Sequence, residues 1–220
     1  MPPCRATLLL AAIVALPALS GCVPAMLATG AAATAISITD RRSTGVQADD
    51  ETSEWKGCNR LPAKYRDAAH VNFTAYNRIL LVSGEAPDED ARQAIGAMAE
   101  KIEGIRKVHN ELLIGPAASL SSRANDAFVS SKFKARLLES NQLSANHLKP
   151  ITENGTLFVM GLVNEREAKV AIAIARTTDG VRKVVSLLEI ISDAERRQRD
   201  DTLRGSPRTP PPLTAPVETR

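Results

Sequence analysis

Two stretches of this 220-residue chain repeat one another, and that repetition limits the fold more than any other feature of the sequence. Ile79-Leu80-Leu81-Val82-Ser83-Gly84-Glu85-Ala86 matches Thr156-Leu157-Phe158-Val159-Met160-Gly161-Leu162-Val163, and the two glycines stand 77 positions apart. Gly104-Ile105-Arg106-Lys107-Val108 matches Gly180-Val181-Arg182-Lys183-Val184 at an offset of 76, so one residue has been lost in between. A fold for this chain must therefore be two copies of one small unit.

The second copy shows what that unit is. Asn125 or Asp126 is placed to cap a helix running to about Glu139, and His147 to Thr152 reads as a short strand. Asn154-Gly155 between apolar runs predicts a type I′ hairpin, which returns Thr156 to Leu162 antiparallel to that strand. Asn164 followed by Glu167 has the spacing of a capping box, and Ala168, Ala171, Ile172 and Ala175 give the helix it opens one apolar face. Gly180 ends that helix, and Arg182 to Ile191 supplies a third strand. The order α-β-β-α-β predicts an α+β fold, in which each copy packs a small three-stranded mixed sheet on two helices and closes its own aliphatic core as a separate module. The first copy keeps the hairpin, the helix after Pro87 and the strand ending near Ile114. Where its leading helix belongs, Trp55 to Pro62 carries both Gly57 and Pro62, which cost a helix interior about 1 and 3 kcal/mol, so a short or broken helix is expected there.

The two ends differ from the repeats. An apolar run from Ala6 to Ala18, flanked by Arg5, is short for a bilayer span but suits a signal-peptide core, and Leu19-Ser20-Gly21-Cys22 follows it in the pattern of a bacterial lipobox. The expectation is a signal peptide over 1–21 with Cys22 as the acylated N-terminus. The competing reading, ordinary secretion, leaves Cys22 a plain thiol. With Cys4 in the leader and Cys22 acylated, Cys58 is the one remaining thiol, which fits a half-buried core cysteine. Val23 to Ile38 is Ala-rich and uncharged, so 22–46 reads as a lipidated tether, with the repeats at 47–116 and 122–192. After Ser192, arginines and prolines dominate, and 193–220 reads as a disordered tail.

The repeat with its mid-domain glycine resembles the BON domain, a small module of bacterial periplasmic and membrane-associated proteins. Asp40 to Asp50, Asn72-Phe73-Thr74-Ala75-Tyr76, and Thr152-Glu153-Asn154-Gly155 through Met160-Gly161-Leu162-Val163-Asn164-Glu165-Arg166-Glu167-Ala168 are similar to the dual-BON outer-membrane lipoproteins. The similarity spans about residues 19 to 191 and departs at Gly57/Pro62 and after Ser192. It implies anionic phospholipid binding through the first helix of the second domain, where Phe128 stands at the family's lipid-contacting aromatic. It also implies a place in envelope integrity and at division sites. Val23, where an aspartate would retain a lipoprotein in the inner membrane, directs the expected location to the outer membrane, anchored and facing the periplasm.

Periodicity gives an independent reason to look at Phe128. Val129, Phe133 and Leu137 cluster on one side of that helix, and Phe128 falls roughly 140° from the centre of their stripe. Its outward neighbours are Ser131, Lys132 and Ala135, with Arg136 and Leu138 at the flanks, so the candidate phospholipid surface is Phe128, Ser131, Lys132, Ala135, Arg136 and Leu138. The alternative places Phe128 against the linker or the first domain. Burying Phe128 contributes about 1.5–3 kcal/mol and each cation about 1 kcal/mol at an anionic surface, a roughly millimolar contact made effective by an anchor on the same chain. A formal charge of +3 is too small to indicate nucleic acid as partner. His70, His109 and His147 have no metal-ligand spacing, and no CxxC, Walker loop or GxSxG is present, so neither an enzyme nor a cofactor beyond the lipid on Cys22 is expected. The rival of another class is an adaptor that docks outer-membrane assembly machinery.

Overall fold

The computed structural model describes residues 40–66 and 68–203; the leader, Cys22, the Ala-rich tether and the chain after Leu203 lie outside the described residues. Helix α1 (Thr44–Arg60) and a single helical turn, α2 (Ala63–Arg66), precede strands β1 (His70–Tyr76) and β2 (Ile79–Ala86), helix α3 (Glu89–Ala99) and strands β3 (Lys107–Asn110) and β4 (Leu113–Ile114). The second unit follows as α4 (Leu120–Ser140), a 3-10 turn at Ala145–His147, β5 (Leu148–Glu153), β6 (Thr156–Val163), α5 (Glu165–Arg176) and β7 (Lys183–Ile190), and the described chain closes with α6 (Asp193–Leu203). In both units the hairpin is antiparallel and the last strand runs parallel to the hairpin's second strand. The third strand of the first sheet is split into β3 and β4 around Glu111 and the buried Leu112.

Each hairpin turn is held by a carboxylate from the preceding helix. Asn77 and Arg78 adopt positive φ angles of 49° and 65°, and their amides donate to the two oxygens of Asp50 at 2.7 Å each. Asn154 and Gly155, at 46° and 69°, donate to Asp126 at 2.9 and 3.0 Å. Two left-handed residues in succession make the type I′ turn expected from Asn154-Gly155, and the buried carboxylates supply the acceptors these amides need. Asp126 therefore does not cap α4. The helix begins at Leu120 and is capped by Ser119, whose hydroxyl accepts from the Ser122 amide.

Helix α1 is continuous through Gly57, contrary to the broken helix expected there. A side chain at position 57 would collide with the Phe73 ring, so glycine is what lets the helix lie against β1, and Phe73 repays its poor propensity by burial. Pro62 falls beyond the C-cap Leu61 and terminates α1 instead of interrupting it. Gly84 serves a similar purpose on the strand, since a Cβ there would overlap the His70 carbonyl.

Leu80, Val82, Phe73 and Ile95 fill a core between the first sheet and its helices, and Phe133, Leu137, Leu157 and Val159 fill the equivalent core in the second. A third core lies between the two sheets. It takes Tyr76, Ile79 and Leu81 from one, and Phe158, Met160, Leu162 and Leu187 from the other. The units are thus not the separate modules expected: they stack as helices, sheet, sheet, helices, and β2 and β6 are covered on both faces, which explains why both read as unbroken apolar runs. Polar contacts border this junction. Lys149 reaches Glu54 at 2.6 Å, the Tyr76 hydroxyl donates to the His147 carbonyl at 3.1 Å, and Arg106 and Asn77 both hold Glu189.

Both expected ends need correction. Residues 40–43, assigned to the tether, belong to the folded body: the buried Arg41 donates to both oxygens of Glu167 at 2.7 and 2.9 Å, to the Leu162 carbonyl and to Asp200 at 2.8 Å. Arg42 pairs with Asp40 and Asp50 and lies over the Tyr76 ring at 4.0 Å. Residues 193–203, assigned to a disordered tail, form α6. Ser192 accepts from the Glu195 amide to start it, Arg199 pairs with Glu195 and Arg196 with Asp200, and the Arg41–Asp200 pair fastens it to the body.

Candidate functional site

Helix α4 owes its position to its inner face. Val129, Phe133 and Leu137 are fully buried there, as their spacing predicts, and Asp126 reaches the hairpin turn. Ser119 caps its start and Asn141, in the left-handed conformation, ends it. At 21 residues the helix is about 30 Å long.

Its outer face carries exposed apolar side chains along its length, with Ser131 and Glu139 exposed among them. Phe128 is 60% exposed, Leu138 64% and Leu120 75%, while Ala124, Ala127, Ser131 and Ala135 are exposed between them. Leu120 and Leu138 are 18 residues apart, which is five full turns, so they share one line along the helix. Phe128, Ser131, Ala135 and Leu138 thus come together as expected. Leu120, Ala124 and the exposed Lys134 belong to the same surface and were missed; extending the helical period toward the N-terminus from Phe128 would have found the first two.

The two expected cations are placed differently. Lys132 stands at the edge of the face, its ammonium 5.0 Å from the centre of the Phe128 ring and 2.7 Å from the Asp179 carboxylate. The hydrogen bond from Lys132 holds the Asp179 carboxyl below its ordinary value. Arg136 is not part of the outer face. Half-buried, it turns back to donate to the Ile174 carbonyl at 3.1 Å and the Thr178 hydroxyl at 3.0 Å, capping the end of α5. The outer face therefore carries Lys132 and Lys134 as its basic groups, not Lys132 and Arg136.

Beside α4, toward the first domain, lies a cleft of about 420 Å³ lined by His70, Asn72, Arg123, Ser130 and Glu153. Burial pushes the Glu153 carboxyl up to about 7; Glu85 and Asp126 add to this and a hydrogen bond from Asn72 opposes it. His70 and His147 are both shifted down, chiefly by burial, and Cys58 is half-buried against the first core. Among the described residues, no group of three or more His, Cys, Asp or Glu side chains could hold a metal ion, and no helix is long and apolar enough to cross a membrane.

The family description "BON domain" matches residues 49–116 and 125–192, the two α-β-β-α-β units. The chain belongs to the BON-domain family. As a dual BON-domain protein, it is 34% identical over 175 residues to the outer membrane lipoprotein DolP of Haemophilus influenzae, covering 79% of this chain and 90% of that one. It is 31% identical over 154 residues to the 21 kDa hemolysin of Actinobacillus pleuropneumoniae, covering 69% and 79% of the two chains. A further relative is the osmotically-inducible protein Y of Escherichia coli, 26% identical over 117 residues, with 52% of this chain and 58% of that one covered.

Proposed function

We propose that this BON-domain protein is a lipoprotein of the outer membrane, acylated at Cys22 and facing the periplasm, which holds anionic phospholipid with α4 of its second domain and so supports envelope integrity, including at division sites. The observation that carries the reading is the exposure of Leu120, Phe128 and Leu138 on one side of α4, bordered by Lys132 and Lys134. A helix with a buried apolar side and a second, exposed apolar side has two surfaces to cover, and the fold covers one. An interface helix lies flat in the headgroup region with its apolar side chains down and its lysines at phosphate level. Full burial of three such side chains contributes roughly 4–8 kcal/mol before the cost of association. The similarity to a protein named as an outer membrane lipoprotein and the Leu19 to Cys22 motif support the anchor.

The chain carrying Cys22→Ser is expected to sediment with vesicles containing phosphatidylglycerol and not with pure phosphatidylcholine. If it binds neither, the adaptor of outer-membrane assembly becomes the better reading. In cells, Cys22→Ala is expected to leave an unprocessed precursor that takes up no labelled fatty acid; acylation equal to the parent chain overturns the anchor.

A further inference from the structure

Residues 178–180 run along the flank of α4, each against a different turn of that helix. Thr178 meets Arg136, Asp179 meets Lys132, and a Cβ at Gly180 would lie 2.6 Å from Val129. Gly180 has a φ of 91°, so glycine is what permits the close approach. The Asp179 carboxylate is thereby fixed at the rim of the apolar face, with its side chain 95% exposed, on the cation nearest Phe128. The same staple exists in the first domain, where Glu103 holds Lys56 at 3.4 Å and Arg60 at 2.9 Å beside a helix face that carries Thr52 where α4 carries Phe128.

We propose that Asp179 is a specificity-determining residue of the membrane face, a built-in anion that occupies Lys132 in solution and must yield it to a lipid phosphate on docking. The proposal rests on the phospholipid reading of α4. An exposed pair of this kind is weak in water, so exchange of one anion for another costs little. At an anionic surface the carboxylate is itself repelled, and that repulsion offsets the attraction of Lys132. Asp179 thus lowers affinity for anionic membranes and keeps the face from adhering through charge alone. The consequence is a surface that binds only where apolar insertion and anionic charge act together.

The test uses the full chain with Cys22→Ser and vesicles of phosphatidylcholine with or without phosphatidylglycerol, at low and physiological salt. Asp179→Asn is expected to raise affinity for the anionic vesicles about fivefold, the ratio corresponding to one unit charge of about 1 kcal/mol. The gain shrinks with salt and is absent on phosphatidylcholine. Glu103→Gln makes the same charge change away from the face and is expected to leave binding within about twofold. No gain from Asp179→Asn, or an equal gain from Glu103→Gln, overturns the proposal. Phe128→Glu separates the two levels: if it abolishes binding while Asp179→Asn changes nothing, the lipid reading stands and the role of Asp179 falls. If Phe128→Glu binds like the parent, both fall.

Discussion

Helices α1 and α4 occupy the same place in the two repeats, and the polar groups that fasten them agree, although their buried faces differ: Ser53 and Gly57 stand where α4 has Val129 and Phe133. Each buries an aspartate that accepts two amides of its hairpin turn, Asp50 in one and Asp126 in the other. Each carries a lysine and an arginine four residues apart, Lys56 and Arg60 or Lys132 and Arg136, which reach the turn after the domain's second helix. The outer faces share almost nothing. Where α4 presents Leu120, Phe128 and Ala135, α1 presents Thr44, Thr52 and Asn59, and its one exposed large apolar residue, Trp55, stands where α4 has Ser131. Positions that hold the hairpin turn are dictated by the fold; positions that face outward are free to diverge, and there the second domain presents a surface the first lacks.

The shared half of this comparison breaks most severely if the two aspartates are not equivalent. Asp50→Ala and Asp126→Ala each strip the acceptor from two turn amides and are expected to destabilise by about 2–4 kcal/mol, seen as a shift in the denaturant midpoint. A loss in one and not the other means that the two hairpins are held differently.

The next effect is specific to the second half. Glu153 has its folded carboxyl pushed up to about 7, above the ordinary value of 4.5, so the folded state holds the proton more tightly than the unfolded chain. Its contribution is fully present below the unfolded value and is lost as pH rises through about 7. Glu153→Gln is expected to flatten that fall and to leave the protein about 1–3 kcal/mol more stable than the parent at alkaline pH, with no gain near pH 4. Thermal unfolding across pH checks it. The equivalent residue of the first repeat, Tyr76, has its phenol pushed up by burial and stays neutral over the same range.

Smaller effects concern the outer faces themselves. Phe128→Glu is expected to weaken binding to anionic vesicles at least tenfold, by roughly 1.4 kcal/mol or more, without loss of stability. Trp55→Glu, at the one exposed large apolar residue of α1, is expected to leave binding unaltered; an equal loss would make both helices membrane surfaces. Smallest are Leu120→Ser and Leu138→Ser, each expected to reduce vesicle binding by about two- to fivefold, since only part of an already exposed side chain is at stake. If Leu120→Ser has no effect while Leu138→Ser does, the contact is confined to the C-terminal half of α4.

What the sequence makes legible depends on how far apart the interacting groups lie. Asn154-Gly155 and the Asn164/Glu167 box are complete within a few residues, and both form as expected. The core stripe of Val129, Phe133 and Leu137 needs only helical spacing. Gly57 is misread because the ring that makes it favourable, Phe73, sits on another strand. Arg41 reads as part of a tether because its partners are 126 and 159 positions away. Averaging composition over the tail hides the local cap of Ser192 and Glu195 that starts α6. The double-sided burial of β2 and β6 was visible as continuous apolar runs, but a run alone does not say what covers its second face. At the candidate site, Phe128 was found by period, while Arg136 was misplaced because its angle on the helix was read without the neighbouring helix end that captures it.

The buried guanidinium of Arg41 ties the start of the described chain to Asp200, near its end, through a carboxylate of the second domain, Glu167. Burial alone would push the Glu167 carboxyl up, yet the bond from Arg41 carries it below its ordinary value, so the cluster stays ionised. A folded chain usually frays from whichever end is looser, one element at a time. Here neither end can peel without breaking the same cluster, which closes the two-domain body into a ring in all but covalent bonds. Tension arriving along the chain at Asp40 is therefore shared, through Arg41 with the second domain and α6 and through Arg42 with Asp50 of α1.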